Sequence, residues 1–241
     1  MKYATRVRLL TIAYSIIFWA TTLAFANRIG VTLIYFSPLI YILTLYAGMF
    51  MIILLLRMRR LARVAKAFDK GDYKKAAAIG EKMLSYEEYA HSNSKRKRDG
   101  STVLDLYLSL AVIYFAENND EKFLLRINNM DEEKYKDAKD FRVDINKKMF
   151  WLSLYYLQKS DFENARIYYD KIEKVAEFHT QISFLEGFKA YKDGDIDAAK
   201  EKMNYVYTAL ASPVLRHKAE EILSAGEKNE AVTVQSRDND N

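Results

Sequence analysis

The 241-residue chain contains no cysteine and only two prolines, and no acidic residue precedes Asp69. The lack of cysteine excludes disulfide bonds, cysteine-based zinc sites and thiol nucleophiles. Two prolines and eight glycines provide few helix breakers, and the later part of the chain is rich in Ala, Leu, Lys, Glu and Tyr. Because this composition favours helices, the sequence predicts an all-α fold.

The lack of acidic residues near the start divides the chain into two parts of opposite charge. Residues 1–66 contain nine Lys or Arg and no acid, whereas the remainder contains 28 basic and 32 acidic side chains, a net charge of −4. The pI of about 9.0 therefore comes from the first part. Because the second part is mildly acidic, we expect no nucleic-acid partner.

Two long runs without any charged residue lie in the first part. They are Leu9–Ala26 and Val31–Leu56, and only residues 27–30 separate them. As a helix, each run is long enough to cross a hydrocarbon core of ~30 Å. We therefore predict a transmembrane hairpin with a first span over 9–26, an external connector over 27–30 and a second span over 31–56. The lipid bilayer is then one partner of the chain.

Basic residues flank both predicted spans and set their expected orientation. Residues 1–8 are basic, Arg28 is the sole charge of the connector, and a basic group follows the second span. That group is Arg57, Arg59, Arg60, Arg63 and Lys66. By the positive-inside rule, both termini should be cytoplasmic, which predicts a two-span protein of the cell membrane.

A secretory signal peptide is an alternative interpretation of the first run, because Ala24-Phe25-Ala26 has the small-residue pattern of a cleavage site. The second span would still run from outside to inside, so the later residues stay cytoplasmic either way. The sequence leaves this cleavage open.

A six-residue pattern recurs in the second part of the chain. It occurs as Gly71-Asp72-Tyr73-Lys74-Lys75-Ala76, as Ser160-Asp161-Phe162-Glu163-Asn164-Ala165 and as Gly194-Asp195-Ile196-Asp197-Ala198-Ala199. The last two begin 34 residues apart. Gly or Ser permits a tight turn between helices, Asp caps the second helix, and Ala allows two helices to approach closely. Each copy therefore predicts a pair of antiparallel helices.

This pattern and its period resemble the tetratricopeptide repeat (TPR). Leu110-Ala111 with Tyr114, Leu152-Ser153 with Tyr156, and Gly187 between Phe184 and Phe188 match the first helix of that repeat. The resemblance implies a TPR-like α-solenoid of about four helix pairs over 57–225. Generic helical hairpins remain the alternative, because the Gly71 turn is out of period and Lys122-Phe123 stands where the repeat has Ala.

The sequence predicts ten helices after the second span. They are expected at 57–70, 73–90, 101–117, 120–129, 132–139, 143–159, 162–176, 179–193, 195–210 and 213–225. Residues 91–100 form a polar insertion, and the polar tail 226–241 is expected to be disordered.

The resemblance also implies a place where a partner binds, because the first helices of TPR proteins line a concave groove. Mapped onto this chain, that face is Leu108, Val112, Phe115, Phe150, Leu154, Leu157, Phe184, Phe188 and Tyr191. An apolar groove suits an amphipathic helix or an aliphatic segment of another protein. The alternative, that these residues only pack between repeats, stays open at this point.

The sequence contains no arrangement that indicates catalysis. His91, His179 and His217 lack metal-ligand spacing, and no phosphate-binding or nucleophile motif occurs. We therefore expect no enzyme activity, metal, cofactor or small-molecule substrate. The run Lys95-Arg96-Lys97-Arg98 is either a contact for anionic lipid headgroups or a solvated loop tip.

These observations predict a membrane-anchored, cytoplasmic scaffold or recruiter of another protein, at the inner face of a bacterial membrane. The alternative is a structural subunit or assembly factor of a membrane complex that uses the hairpin as its contact. A membrane enzyme or transporter is the least expected class, because the predicted spans contain no Asp, Glu, Lys, Arg or His.

Overall fold

The computed structural model describes residues 38–92, 100–210 and 212–225, together with Ala13, Ile17 and Thr21. Within these residues the structure is helical and contains no strand, which confirms the predicted all-α class. The chain forms two compact units, residues 1–66 and residues 67–241. Most of the predicted first span, the connector, the run Lys95–Arg98 and the tail 226–241 lie outside the described residues.

A long helix, α1, spans Pro38–Asp69; its residues up to Lys66 belong to the first unit and its last three residues to the second. The predicted helix 57–70 is therefore the last part of a longer helix. Large apolar side chains on α1 are exposed, including Tyr46 at 62%, Phe50 at 65% and Met58 at 58%. Among the residues that the structure describes, no helix combines the length and the apolar content that crossing a membrane requires.

The second unit consists of further helices that begin and end near the predicted positions. They are α2 Tyr73–Ser92, α3 Ser101–Ala116, α4 Asp120–Asn128, α5 Glu132–Tyr135, α6 Phe141–Gln158, α7 Phe162–Tyr169, α8 His179–Asp193, α9 Ile196–Tyr207 and α10 at residues 213–225. A short 3-10 helix, Ala176–Phe178, precedes α8.

Four of the connections between helices have the same backbone geometry. In each, a residue with positive φ follows the first helix, and the next residue caps the second helix. The residues with positive φ are Gly71, Asn118, Ser160 and Gly194. The capping side chains accept a hydrogen bond from the backbone N–H three residues later, and they are Asp72, Asn119, Asp161 and Asp195.

The same four turns also share a backbone hydrogen bond. The N–H of each capping residue donates to a carbonyl in the last turn of the first helix at 2.9 Å, for example from Asp161 to Tyr156 and from Asp195 to Ala190. This bond closes a Schellman turn, which ends a helix with a left-handed residue. The three predicted Asp caps are confirmed, and Asn119 provides a fourth cap.

Small residues bring the paired helices together, as the sequence predicts. Ala165 and Ala199 are 2% and 0% exposed, and they face small positions on the preceding helix. The Ser153 hydroxyl donates to the Ala165 carbonyl at 2.9 Å. A Cβ on Gly187 would lie 2.8 Å from the Cβ of Lys202, so the close approach of α8 and α9 at this position requires glycine.

Phe123 occupies the place that Ala takes in the other second helices, and it is fully buried. Its ring stacks on Tyr155 of α6 at a centroid distance of 4.8 Å. The same ring lies 5.6 Å from that of Phe115 in α3, so the large side chain contacts both its own helix pair and the next one.

The helix pairs lie side by side. Helices α3 and α4, α6 and α7, and α8 and α9 pack as pairs, while α2 packs against α3. The first helices also contact one another in the order α3, α6, α8 and so form one row. Glu81 of α2 adds a polar tie, because its carboxylate accepts from Tyr114 Oη at 2.8 Å and from Arg126 Nε and Nη2 at 2.9 and 2.6 Å.

The predicted helix 162–176 is too long, since α7 ends at Tyr169. The following segment turns inward, and its Ile172 is 4% exposed. The buried side chain of Asn146, in α6, accepts a hydrogen bond from the Glu173 N–H at 3.1 Å. This long-range bond satisfies a backbone group outside a helix, so the segment does not need to continue α7.

Candidate protein-binding surface

The nine predicted groove residues all lie on the row of first helices, but most of them are buried. Leu108, Phe115, Phe150, Leu154, Leu157, Phe184 and Phe188 are at most 8% exposed. Only Val112 and Tyr191 are half-buried. The row is therefore covered by other side chains, and a partner cannot reach these seven residues without displacing something.

Five aromatic rings, which we call the aromatic arc, run continuously across the row. They are Phe115 of α3, Trp151 and Phe150 of α6, and Phe184 and Phe188 of α8. Successive ring centroids lie 5.3, 5.4, 6.4 and 6.2 Å apart. Four of these rings belong to the predicted groove, whereas Trp151 was not predicted to be part of it.

The aromatic arc is concave, and its concave side holds a lysine of α10. The Lys218 Nζ lies 5.4 Å from the ring centroid of Phe115 and 5.9 Å from that of Phe188. These two rings are the opposite ends of the arc. A straight row of five rings could not bring both ends within 6 Å of one atom, so the arc curves around Lys218.

Helix α10 presents an apolar face inside the molecule. Val214, Leu215, Ala219 and Ile222 are at most 8% exposed, and Lys218 lies among them in the sequence. Burial lowers the pKa of Lys218, Glu221 opposes this shift, and Lys192 adds to it. Through Lys218, the chain's own C-terminal helix thus reaches the concave face where a partner was predicted to bind.

The sequence predicts α10 as a helix but does not predict its position beside the aromatic arc, because nothing local identifies the face against which an amphipathic helix packs. One signal was present. The signal was the lysine within the stripe of Val214, Leu215, Ala219 and Ile222, because a cation in an apolar stripe needs a special environment such as an aromatic face.

A second, open surface lies between α7 and α8. It is a cavity of about 670 Å³ whose lining includes the buried residues Ser153, Leu157 and Leu185. Exposed apolar side chains also line it, with Phe162 at 40% and Ile167 at 46% exposure. None of its lining residues belongs to the predicted groove except Leu157.

A polar triad joins three helices beside this cavity. The Glu186 carboxylate of α8 accepts from Tyr169 Oη of α7 at 2.9 Å and from Lys202 Nζ of α9 at 2.7 Å. Burial and the hydrogen bond to Glu186 raise the pKa of Tyr169 to about 12. Partial burial acts to raise the pKa of Glu186, but the hydrogen bonds from Lys202 and Tyr169 outweigh it and hold this pKa below its ordinary value.

The predicted basic flank lies on α1. Arg59 and Arg63 are exposed, Arg57 and Arg60 are half-buried, and the Arg63 Nε donates to the Arg59 carbonyl at 3.2 Å. The three histidines lie apart, with His91 beside the Tyr135 ring, His179 at the start of α8 and His217 near Glu221. In the part of the chain that the structure describes, no group of His, Asp and Glu is placed to hold a metal ion.

These features define an all-helical protein of side-by-side helix pairs with a concave aromatic face. A scan against protein-family models found no match, and searches of the curated proteins and of the solved structures found none either.

Proposed function

We propose that this protein is a membrane-anchored protein-interaction module with a TPR-like cytoplasmic domain. The observation that carries the proposal is the same Schellman turn and side-chain cap at four connections between helices. Stacked helix pairs with a repeated turn build α-solenoids, and proteins of this class use their extended surfaces to bind other proteins. The 34-residue spacing of the last two turns supports a TPR-like repeat.

The membrane anchor is supported by the character of α1 and of the sequence before it. Exposed Phe50, Met51 and Leu55 lie on α1 just before Arg57 and Arg59. Large exposed apolar surfaces are uncommon on water-soluble proteins and indicate contact with lipid or another protein. The basic residues that follow suit the anionic headgroups of a cytoplasmic leaflet.

Anchoring a weak binding module to a membrane raises its effective concentration toward partners there. The partner that fits the chain best is an amphipathic helix or an aliphatic segment, because both candidate surfaces combine apolar side chains with a few charges. The cavity between α7 and α8 is accessible as it stands, since Phe162 and Ile167 are exposed at its edge.

The proposal is tested by capturing partners of the intact chain in detergent, followed by mass spectrometry. We expect Ile167→Asp to lose a partner selectively while circular dichroism shows an unchanged helix content. Leu125→Asp is the matched control, since Leu125 is a 50% exposed apolar residue on α4. Aspartate at Phe150 or Phe188 would be unsuitable, because these residues are 2% and 6% exposed and their replacement disrupts the core.

The alternative, a structural subunit that uses the hairpin as its contact, is favoured by the same exposed apolar residues of α1. A fragment of residues 67–226 separates the two functions, provided that circular dichroism shows it to be folded. A fragment that still binds the partner supports the interaction module. Loss of the partner from a folded fragment supports the structural subunit that uses the hairpin as its contact.

A further inference from the structure

Helix α10 shows what kind of ligand the aromatic arc accepts. Its buried face consists of Val214, Leu215, Ala219 and Ile222, at positions i, i+1, i+5 and i+8, with the ammonium of Lys218 between the end rings of the arc. These positions form one stripe of a helix. An amphipathic helix with a lysine among aliphatic residues is therefore the segment that fits this concave face.

The contacts of α10 differ from those of the helix pairs. Its side-chain hydrogen bonds with preceding residues join Tyr207 Oη to Glu220 at 2.6 Å and Arg216 Nη2 to the Leu210 carbonyl at 2.8 Å. Both partners precede α10 closely in the chain. Within the described residues, no hydrogen bond or ion pair joins α10 to α3, α6 or α8, and Lys218 is the side chain that contacts both ends of the aromatic arc.

Lys218 makes this contact weaker than an all-apolar face would be. Lys189 and Lys202 form ion pairs with Asp193 and Glu186, whereas no carboxylate in the described part of the chain lies within ion-pair distance of Lys218. Lys218 is half-buried, and partial loss of hydration by an ammonium without an ion-pair partner is costly. Cation–π attraction and the charge of Glu221 offset only part of that cost. The lysine thus fits the arc but keeps α10 from being tightly held.

We propose that the aromatic arc is a binding face for an amphipathic partner helix with a lysine among aliphatic residues, and that α10 occupies this face as an exchangeable resident. This inference rests on the proposed function, because it names the partner class and the surface of the interaction module. A partner helix competes with α10 for Phe115 and Phe188. The bound state leaves α10 free of the arc.

The absence of native cysteine makes the exchange measurable by thiol labelling of the intact chain in detergent. Ala219→Cys places a thiol on the buried face of α10, and Val214→Cys is a second probe there that adds no volume. Val103→Cys, in α3 at 2% exposure, reports opening of the core, and Glu221→Cys reports an exposed position of α10. Each variant is first shown to be helical by circular dichroism.

The probe ligand is a synthetic peptide of residues 212–225. In the open state, α10 has left the aromatic arc. A peptide that binds the arc in this state increases the labelling rate by the factor 1 + [peptide]/Kd, where Kd is its dissociation constant for the open state. The increase is about tenfold at a concentration about ten times Kd. We expect this increase for Ala219→Cys and Val214→Cys, and no change for Val103→Cys or Glu221→Cys. The same peptide with Leu215→Glu is the matched control and should have no effect.

Three results would overturn the inference. If Ala219→Cys and Val214→Cys react as slowly as Val103→Cys with or without peptide, α10 is a fixed part of the core. If they react quickly but the peptide changes nothing, the arc does not accept a helix from another molecule. If their labelling depends on the concentration of the chain itself, a second copy supplies the helix.

These failures are distinguishable from failure of the proposed function. A chain whose α10 never opens, but which loses a partner through Ile167→Asp, is still an interaction module that uses the cavity between α7 and α8. A chain that binds the peptide but captures no partner at any surface contradicts the module and leaves the exchange of α10 established.

Discussion

At the residue scale, the left-handed positions of the four turns show how one backbone geometry is built from different side chains. Gly71 and Gly194 adopt φ of 72° and 86°, where glycine has no steric penalty. Asn118 and Ser160 adopt φ of 57° and 59° at the equivalent positions. Asn tolerates this region better than most residues, whereas Ser has no such advantage, so the Ser160 turn carries the largest strain of the four.

Exchanging residues at these turns should shift stability in opposite directions. Ser160→Gly should raise the free energy of unfolding by up to ~1 kcal/mol, because strain at positive φ exceeds the entropy that glycine adds to the unfolded chain. Gly194→Ala should lower it by ~1 kcal/mol, and since no atom lies within 4 Å of the added Cβ, backbone strain alone is responsible.

Thermal unfolding of both variants in detergent, followed by circular dichroism, measures these changes. A change of the same sign in Ser160→Gly and Gly194→Ala would contradict the account of strain at these turns.

At the element scale, the polar triad shows how helices from two pairs are held together beside the open cavity. Tyr169, Glu186 and Lys202 come from α7, α8 and α9, and both Tyr169 and Lys202 donate to the Glu186 carboxylate. Their spacing in sequence, 17 and 16 residues from Glu186, gives no local pattern. The triad could therefore not be predicted, while the helices that carry it could.

The polar triad predicts that the folded chain loses stability as the pH rises above 10. The pKa of Tyr169 is about 12 in the folded chain against an ordinary value of 10.0, so its hydroxyl is protonated in both states below pH 10. Between pH 10 and 12 the unfolded chain loses this proton first, and unfolding becomes more favourable as pH rises. Tyr169→Phe removes this part of the loss.

The measurement compares unfolding midpoints at pH 9 and at pH 11.5. The difference in stability between the wild type and Tyr169→Phe should be smaller at pH 11.5 than at pH 9. Tyr205→Phe is the control for a tyrosine that is 69% exposed. An equal difference at both pH values would show that the Tyr169 hydroxyl does not prefer its protonated form in the folded chain.

At the scale of the whole molecule, the proposed arrangement is an anchor in the membrane and a helical domain in the cytoplasm. The charge distribution carries this proposal, since both ends of the anchor are basic and the connector has only Arg28. Cysteine introduced into this cysteine-free chain tests the topology with a membrane-impermeant maleimide in intact bacterial cells.

We expect Asn27→Cys, in the connector, to be labelled in intact cells. Gln235→Cys, in the tail, should be labelled only after the membrane is permeabilised. Labelling of Gln235→Cys in intact cells would contradict a cytoplasmic domain. The mass of the purified chain is measured in parallel, because cleavage after Ala26 would shorten it and remove the first span.

The sequence by itself determined the features that depend on neighbours along the chain. Asp72, Asp161 and Asp195 cap helices by accepting from N–H groups three residues later. The all-α class follows from the small number of prolines and glycines. Such contacts are local, so a pattern of a few residues is enough to predict them.

Only the tertiary structure decided which surfaces are open. Asn146 accepts from the N–H of Glu173 in the segment after α7, Phe123 packs on Tyr155, and Lys218 of α10 lies beside two rings of the aromatic arc. Most residues of the face that the sequence assigned to a partner are buried within the chain itself. These outcomes depend on residues that are far apart in sequence, and an amphipathic stripe specifies that a helix packs but not what it packs against.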